Sequence, residues 1–170
     1  MINVRIANIK DAELIADMSR QTFYDSFAKD NTRENMDKFM NEQFTREGLI
    51  KEVGAERNTF LLAYDNDEPV GYARLRENNI PPQLNTDRAI EIARIYAVQT
   101  AIGKGVGKAL MQKSIDIAKE KKHTTLWLGV WEHNQRAINF YLHWGFEKFA
   151  DHAFILGDDI QNDWLMKRNV

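Results

Sequence analysis

Ile102-Gly103-Lys104-Gly105-Val106-Gly107-Lys108 is the stretch on which the reading of the fold turns. It joins a strand pattern, Ala89 to Val98, to an amphipathic helix pattern, Lys104 to Lys121. Glycine leaves the backbone open, so successive amide N–H groups can converge on an anion at the positive end of the helix dipole. A phosphate-bearing ligand fits such a turn, although a glycine-rich helix start with no ligand would use the same residues. Spacing removes two familiar loops. A nucleotide P-loop needs Ser or Thr after its Gly-Lys pair, and Lys108 is followed by Ala109. A dinucleotide fingerprint needs Gly-x-Gly-x-x-Gly, whereas Gly103, Gly105 and Gly107 alternate, and Lys121, Lys122 and His123 stand where a ribose-binding acid belongs.

Outward from this turn, strand-like and helix-like patterns alternate. Downstream, Thr124 to Val130 reads as a strand and Asn134 to Trp144 as a helix, while Phe146 to Leu156 and Ile160 to Met166 flank Gly157-Asp158-Asp159 as a closing hairpin. Upstream, Asn78 to Arg88 is a loop, because neither Pro81 nor Pro82 can serve a central ladder. Before it, Thr59 to Tyr64 and Val70 to Leu75 flank the polar turn Asp65 to Pro69. Ile2, Val4 and Ile6 alternate as a half-buried strand. Asn8 with Asp11 opens a helix to about Phe27 whose stripe is Leu14, Ile15, Met18 and Thr22; Asn31 with Glu34 gives a second cap signal and Thr45 a third.

Composition bounds the possibilities. A chain of 170 residues with 44% hydrophobic and 28% charged residues fits one globular domain, residues 1–170, with an ordinary core. A net charge of -2 and a pI near 6.1 argue against a nucleic-acid binder. The chain has no cysteine, which removes disulfides, thiolate metal sites and a cysteine nucleophile together. His123, His133, His143 and His152 have no metal-ligand spacing, so no metal is expected. Neither a signal peptide nor a membrane-length apolar run is evident, and a cytoplasmic location is the default expectation.

The glycine turn resembles the signature of the GNAT superfamily of N-acetyltransferases: Gln or Arg, two residues, Gly, any residue, then Gly or Ala. Gly105 and Gly107 take the two small positions, and Ile102 stands where Gln or Arg is usual. The superfamily's partner motif is similar to Asn134-Gln-Arg-Ala137-Ile-Asn-Phe140-Tyr141-Leu-His-Trp-Gly145-Phe146. The resemblance implies an α/β (α+β) acyltransferase fold: a mixed, mostly antiparallel sheet of about seven strands, flanked by helices and splayed where acetyl-CoA binds. It implies that Tyr96, Ala97 and Val98 present backbone groups to the pantetheine arm. Gly103, Lys104, Gly105, Val106, Gly107 and Lys108 would hold the pyrophosphate, and Asn134 and Tyr141 would also contact the cofactor. Ile102 removes one polar side chain from this cradle but no backbone donor.

By the same resemblance Tyr141 is the general acid for the departing thiolate and Glu91, eleven residues before Ile102, the general base. Position alone also allows a core aromatic at Tyr141, a surface acid beside Arg94 at Glu91 and a simple helix cap at Asn134. Over most of its length the chain is similar to the PaiA branch, which acetylates spermidine and spermine: Thr22-Phe-Tyr-Asp-Ser-Phe27, Glu34-Asn-Met36, Gly71-Tyr72, Glu91 through Tyr96, Trp127 through Glu132, and Gly157-Asp158 with Gln161, Asp163 and Met166. That likeness implies a polyamine acceptor. Carboxylates and aromatic faces on the N-terminal helices, Tyr24, Asp25, Glu34 and Asp37, are the candidate acceptor contacts, with Asp30 on the loop between them, although a solvated face explains most of these acids. A homodimer is a further expectation of the superfamily. The alternatives are a protein or peptide N-acetyltransferase and a non-catalytic acyl-CoA-binding regulator.

Overall fold

The alternation of apolar and polar residues along the chain produces seven strands that hydrogen-bond into one sheet in the order β1-β2-β3-β4-β5-β7-β6. They are β1 Ile2–Ile6, β2 Asn58–Asp65, β3 Glu68–Glu77, β4 Ala89–Ala97, β5 Thr125–Trp131, β6 Glu147–Leu156 and β7 Asp159–Asn169. The computed structural model describes every residue, Met1–Val170. All neighbouring strands are antiparallel except β4 and β5, which run parallel. The expected mixed, mostly antiparallel seven-stranded sheet is therefore present. No helix is long and apolar enough to cross a membrane.

Helices cover both faces. On one side lie α4 (Val106–Glu120) and α5 (Gln135–His143). Val106, Leu110, Met111, Ile115 and Ile117 of α4 pack with Leu61, Leu75, Ile90, Ile92, Leu126 and Leu128 in the main core, to which α5 adds Ile138 and Tyr141. Burial of this apolar stripe, about 25 cal/mol per Å2, holds α4 in place more than its intrinsic propensity does. A Cβ on Gly71 would lie 2.5 Å from Val106 Cγ1 and 2.7 Å from the Tyr96 carbonyl oxygen, so glycine on β3 lets the helix settle this close. On the other side lie α1 (Ala12–Phe27), α2 (Arg33–Lys38) and α3 (Arg46–Glu52). Ile15 and Met18 pack on Phe60, Leu62 and Tyr72, and Phe23 gathers Met36, Phe39, Phe44 and Leu156.

Local cap chemistry is mostly where the sequence places it. Asn8 and Asp11 form the expected capping box, around a short 3-10 turn that leads into α1, and Thr45 caps α3 through the Gly48 N–H. One assignment moves. Asn31 does not cap α2; Thr32 does, its hydroxyl accepting from the Asn35 N–H at 3.2 Å, because Asn31 is spent on other bonds. The Asn31 amide donates to the Phe27 carbonyl, and its oxygen accepts from Gln161. With Lys38 on Asp158 at 2.6 Å and Asn35 accepting from the Asp158 N–H, these bonds tie the α1–α2 region to the β6–β7 turn.

Candidate active site

The parallel ladder between β4 and β5 is short: Ala89 pairs with Thr125, Ile90 with Leu126 and Glu91 with Trp127, and there it stops. From Ile92 to Ala97 and from Leu128 to Trp131 the strands diverge, leaving a gap in the middle of the sheet with α4 and α5 behind it. Facing strand edges without partners must find hydrogen bonds elsewhere. A shift of register at Arg74/Leu75, where Ala93 bulges, interrupts the pairing of β4 with β3, which resumes from Arg94 to Ala97, and re-aims the second half of β4.

Of the three residues expected to present backbone to the gap, the register with β3 turns only Ala97 toward it. Val98 donates its N–H to the Val70 carbonyl at 2.9 Å, and its own carbonyl accepts from Ala101. The ladder's alternation then turns Tyr96 toward its partner Tyr72, leaving Ala97 and, two residues back, Ile95 facing the gap. The backbone groups of Tyr96 and Val98 are used by β3 and the following turn, contrary to expectation, while Ile95, which the sequence did not single out, faces the gap. Only the register with β3 could have revealed it.

The glycine turn meets the end of β4. Gly103 and Gly105 have φ of 83° and 91°, the left-handed region that other residues enter at a cost, while a Cβ at either would meet open space. Gly105 sits at the N-cap of α4 and no side chain caps that helix. The first-turn N–H groups of Val106, Gly107 and Lys108 are thus left open toward solvent, where the helix dipole favours an anion. Lys104 is the exception, since its N–H donates to the Ala101 carbonyl and only its ammonium is available. Gly107 differs from its neighbours: a Cβ there would touch the Phe140 ring at 3.4 Å, so α4 and α5 lie in contact at this point. Ile102 is 38% exposed and contributes nothing polar.

Tyr141 projects from α5 into the main core beneath the gap and is 8% exposed. Burial pushes its phenol above its ordinary range with no hydrogen bond to offset the shift, so the group stays protonated and yields its proton only to a strong base. Phe140 and Phe146 hold the ring edge-on, at centroid distances of 5.6 and 5.8 Å. Asn134 caps α5 by accepting from the Ala137 N–H at 3.3 Å, which leaves its amide N–H groups free for a ligand.

Glu91 lies at the closed end of the ladder. Its Oε1 accepts from Arg76 at 2.7 Å and from Asn79 at 3.1 Å, and the residue is 7% exposed. The acceptor candidates of the N-terminal helices are dispersed. Tyr24 is 46% exposed, Asp25 accepts from Gln21, and Glu34 and Asp37 are exposed on α2, with Asp37 3.8 Å from Arg33. None of the four lines the cavity of about 410 Å3 beside the parted end of β5. Asp30 does, together with Trp131, Glu132, His133 and Asp159. Of the N-terminal acids, the one on the turn after α1 is the one at this cavity.

A parallel pair that parts after three residues, an uncapped glycine-rich helix start and a buried tyrosine on the next helix are the features gathered around the gap. The acetyltransferase (GNAT) family profile matches residues 20–146, which span all three. This chain belongs to the GNAT acetyltransferase family. Along 170 residues it is 35% identical to an uncharacterized N-acetyltransferase of Lactobacillus delbrueckii subsp. lactis, covering 99% of this chain and 98% of the relative. It is 23% identical to a spermidine N(1)-acetyltransferase of Thermoplasma acidophilum, over 98% of this chain and 96% of the relative. The crystal structure of PaiA N-acetyltransferase from Thermoplasma acidophilum in complex with coenzyme A superposes with a TM-score of 0.79 at 22% identity, covering 100% of this chain and 99% of the other. The GNAT fold is thus shared from end to end.

Proposed function

We propose that this GNAT enzyme transfers the acetyl group of acetyl-CoA to a primary amine, with spermidine or spermine as the favoured acceptors. The parting of β4 and β5 carries the reading, because it exposes backbone groups of Ile95 and Ala97 at the depth where a pantetheine arm, entering past the α4 N-terminus, needs amide partners. The open N–H groups of Val106, Gly107 and Lys108, with the ammonium groups of Lys104 and Lys108, suit the pyrophosphate. Tyr141, buried and protonated, would supply the proton to the leaving sulfur. Glu91 is the base that the superfamily resemblance puts forward. Tied to Arg76, it would receive the amine's proton through an intervening water. The polyamine acceptor is supported by the spermidine N(1)-acetyltransferase among the relatives and by Asp30, Glu132 and Asp159 around the cavity beside Trp131.

Purified protein incubated with acetyl-CoA and spermidine, spermine, aminoglycosides or peptide N-termini, with free thiol followed over time, tests the reading. Thiol release with the polyamines is the expected result. Release with peptides alone would move the acceptor to proteins, and coenzyme A binding without turnover on any acceptor would make the chain an acyl-CoA-binding regulator.

A further inference from the structure

Nearly every acid drawn into the body of this protein has a cation for company. Glu91 has Arg76; Glu52 has Arg74 at 3.0 Å and Arg94 at 2.7 Å; Glu77 has Lys121 at 3.1 Å; Asp11 has Arg5 at 2.8 Å. Asp163 has none. It is half-buried on β7, and its carboxylate accepts no hydrogen bond and makes no ion pair within the chain. Such a group costs free energy unless something outside the fold completes it.

Its place says what that partner is. Asp163 pairs across β7–β5 with Trp131 and across β7–β6 with His152. Trp131 is the last residue of β5, at the parted end of the gap. A Cβ built on Gly129 would stand 3.7 Å from Asp163 Oδ2, so the carboxylate leans over the one β5 residue that offers no side chain. By strand alternation Gly129, Trp131 and Asp163 share the face opposite the α4–α5 core, while Tyr141 approaches from the core side. The charged and titratable groups around Asp163 are Glu132 at the end of β5, His152 on β6 and Tyr96 on β4 across the gap. Tyr96 lies within the electrostatic reach of both Asp163 and Tyr141.

We infer that Asp163 is the carboxylate that binds the acceptor's ammonium group at the mouth of the gap and takes its first proton, the role that the superfamily resemblance gives to Glu91. The inference rests on the amine-acetyltransferase reading above and gives its acceptor a definite chemistry, an alkylammonium ion. The ammonium gives one proton to Asp163. The neutral amine attacks the thioester carbon, forming the C–N bond as the C–S bond breaks. The departing sulfur takes the Tyr141 proton, the second amine proton restores Tyr141, and Asp163 releases its own to water. Burial, partly offset by His152 and helped by Glu132, raises the Asp163 carboxyl to about 6, which makes it a better base than an ordinary aspartate while still ionised at neutral pH.

The experiment compares wild type, Asp163→Asn and Glu91→Gln from pH 5 to 9, with spermidine and n-butylamine as acceptors and calorimetric coenzyme A binding as the control for folding. Asp163→Asn is expected to lower kcat/KM for the amine by about 10^2-fold or more, to erase the loss of activity below pH 6, and to leave coenzyme A affinity unchanged. If Asp163→Asn keeps both rate and limb while Glu91→Gln loses them, the inference is overturned and the acetyltransferase reading stands. If wild type releases no thiol with any amine, both fall together. Should Asp163→Asn fail to bind coenzyme A, Gly129→Ala decides. Its added methyl makes only ordinary contacts, 3.5 Å to Leu165 and 3.7 Å to Asp163. It should raise the acceptor's KM several-fold while leaving that of acetyl-CoA alone, and an unchanged acceptor KM overturns the proposal.

Discussion

β4 and β5 meet at one end and part at the other, and each end holds a carboxylate in a different condition. At the paired end Glu91 is almost sealed from solvent, yet Arg76 and Asn79 satisfy it. At the parted end Asp163 is only half-buried and has no donor. The first arrangement builds the sheet, because an ion pair across β3 and β4 locks the register from which the gap opens. The second leaves a desolvated charge unmatched, which a fold selected for stability alone would have neutralised. Burial and partnering are therefore separable here: the more deeply buried acid is the one whose hydrogen bonds are met within the fold.

The contrast can be broken or sharpened by substitution. The largest effect belongs to the open end. Tyr141→Phe should lower kcat by about 10^2-fold or more with coenzyme A affinity unchanged, measured by thiol release and calorimetry. A variant as fast as wild type would make Tyr141 a packing residue. Next is the closed end, where Glu91→Ala should cost about 2 kcal/mol in urea unfolding by stranding the Arg76 guanidinium. A purely kinetic defect without that loss would place Glu91 with the chemistry after all. Gly105→Ala should cost about 1 kcal/mol through its left-handed backbone and weaken coenzyme A binding by up to about tenfold, with little effect on the amine's KM. The smallest effect is a gain. The Asp163 carboxyl is raised from 3.8 to about 6 on folding, so its contribution favours the native state below pH 4 and is lost as pH rises through 6. Asp163→Asn should therefore raise Tm at pH 8, by at most about 2–4 °C once solvent screening is allowed for, and leave it unchanged near pH 3.

Much of this molecule could be read along the chain. The Asn8–Asp11 capping box, the Thr45 cap, the proline-marked loop from Asn78 to Arg88 and the glycine turn all depend on neighbours within a few residues, so sequence exposes them directly. Thr32 against Asn31 shows where that fails. Both are good caps, and the choice was made by Gln161, which is 130 residues away and draws on the Asn31 oxygen. Ile95 against Val98 fails for the same reason, since which backbone edge faces the gap depends on the bulge opposite Arg74 and Leu75. Asp163 was legible only in part. Its alternation with Leu165 marks it as sharing a face with a core residue, but an acid on a hairpin strand ordinarily reads as solvent-facing until β7 is known to lie between β5 and β6.

The chain's own pattern is enough to specify the strands, the helices, the anion-ready turn at Gly103 to Lys108 and Tyr141 behind it, because dihedral preference, capping and hydrophobic period act between residues close in sequence. Tertiary structure alone decides that the β4–β5 ladder stops after Glu91, that Glu91 is claimed by Arg76, and that Asp163 is left without a partner over Gly129. Those outcomes depend on strand order and register, which are set by packing between residues far apart in the chain, and no local preference encodes them.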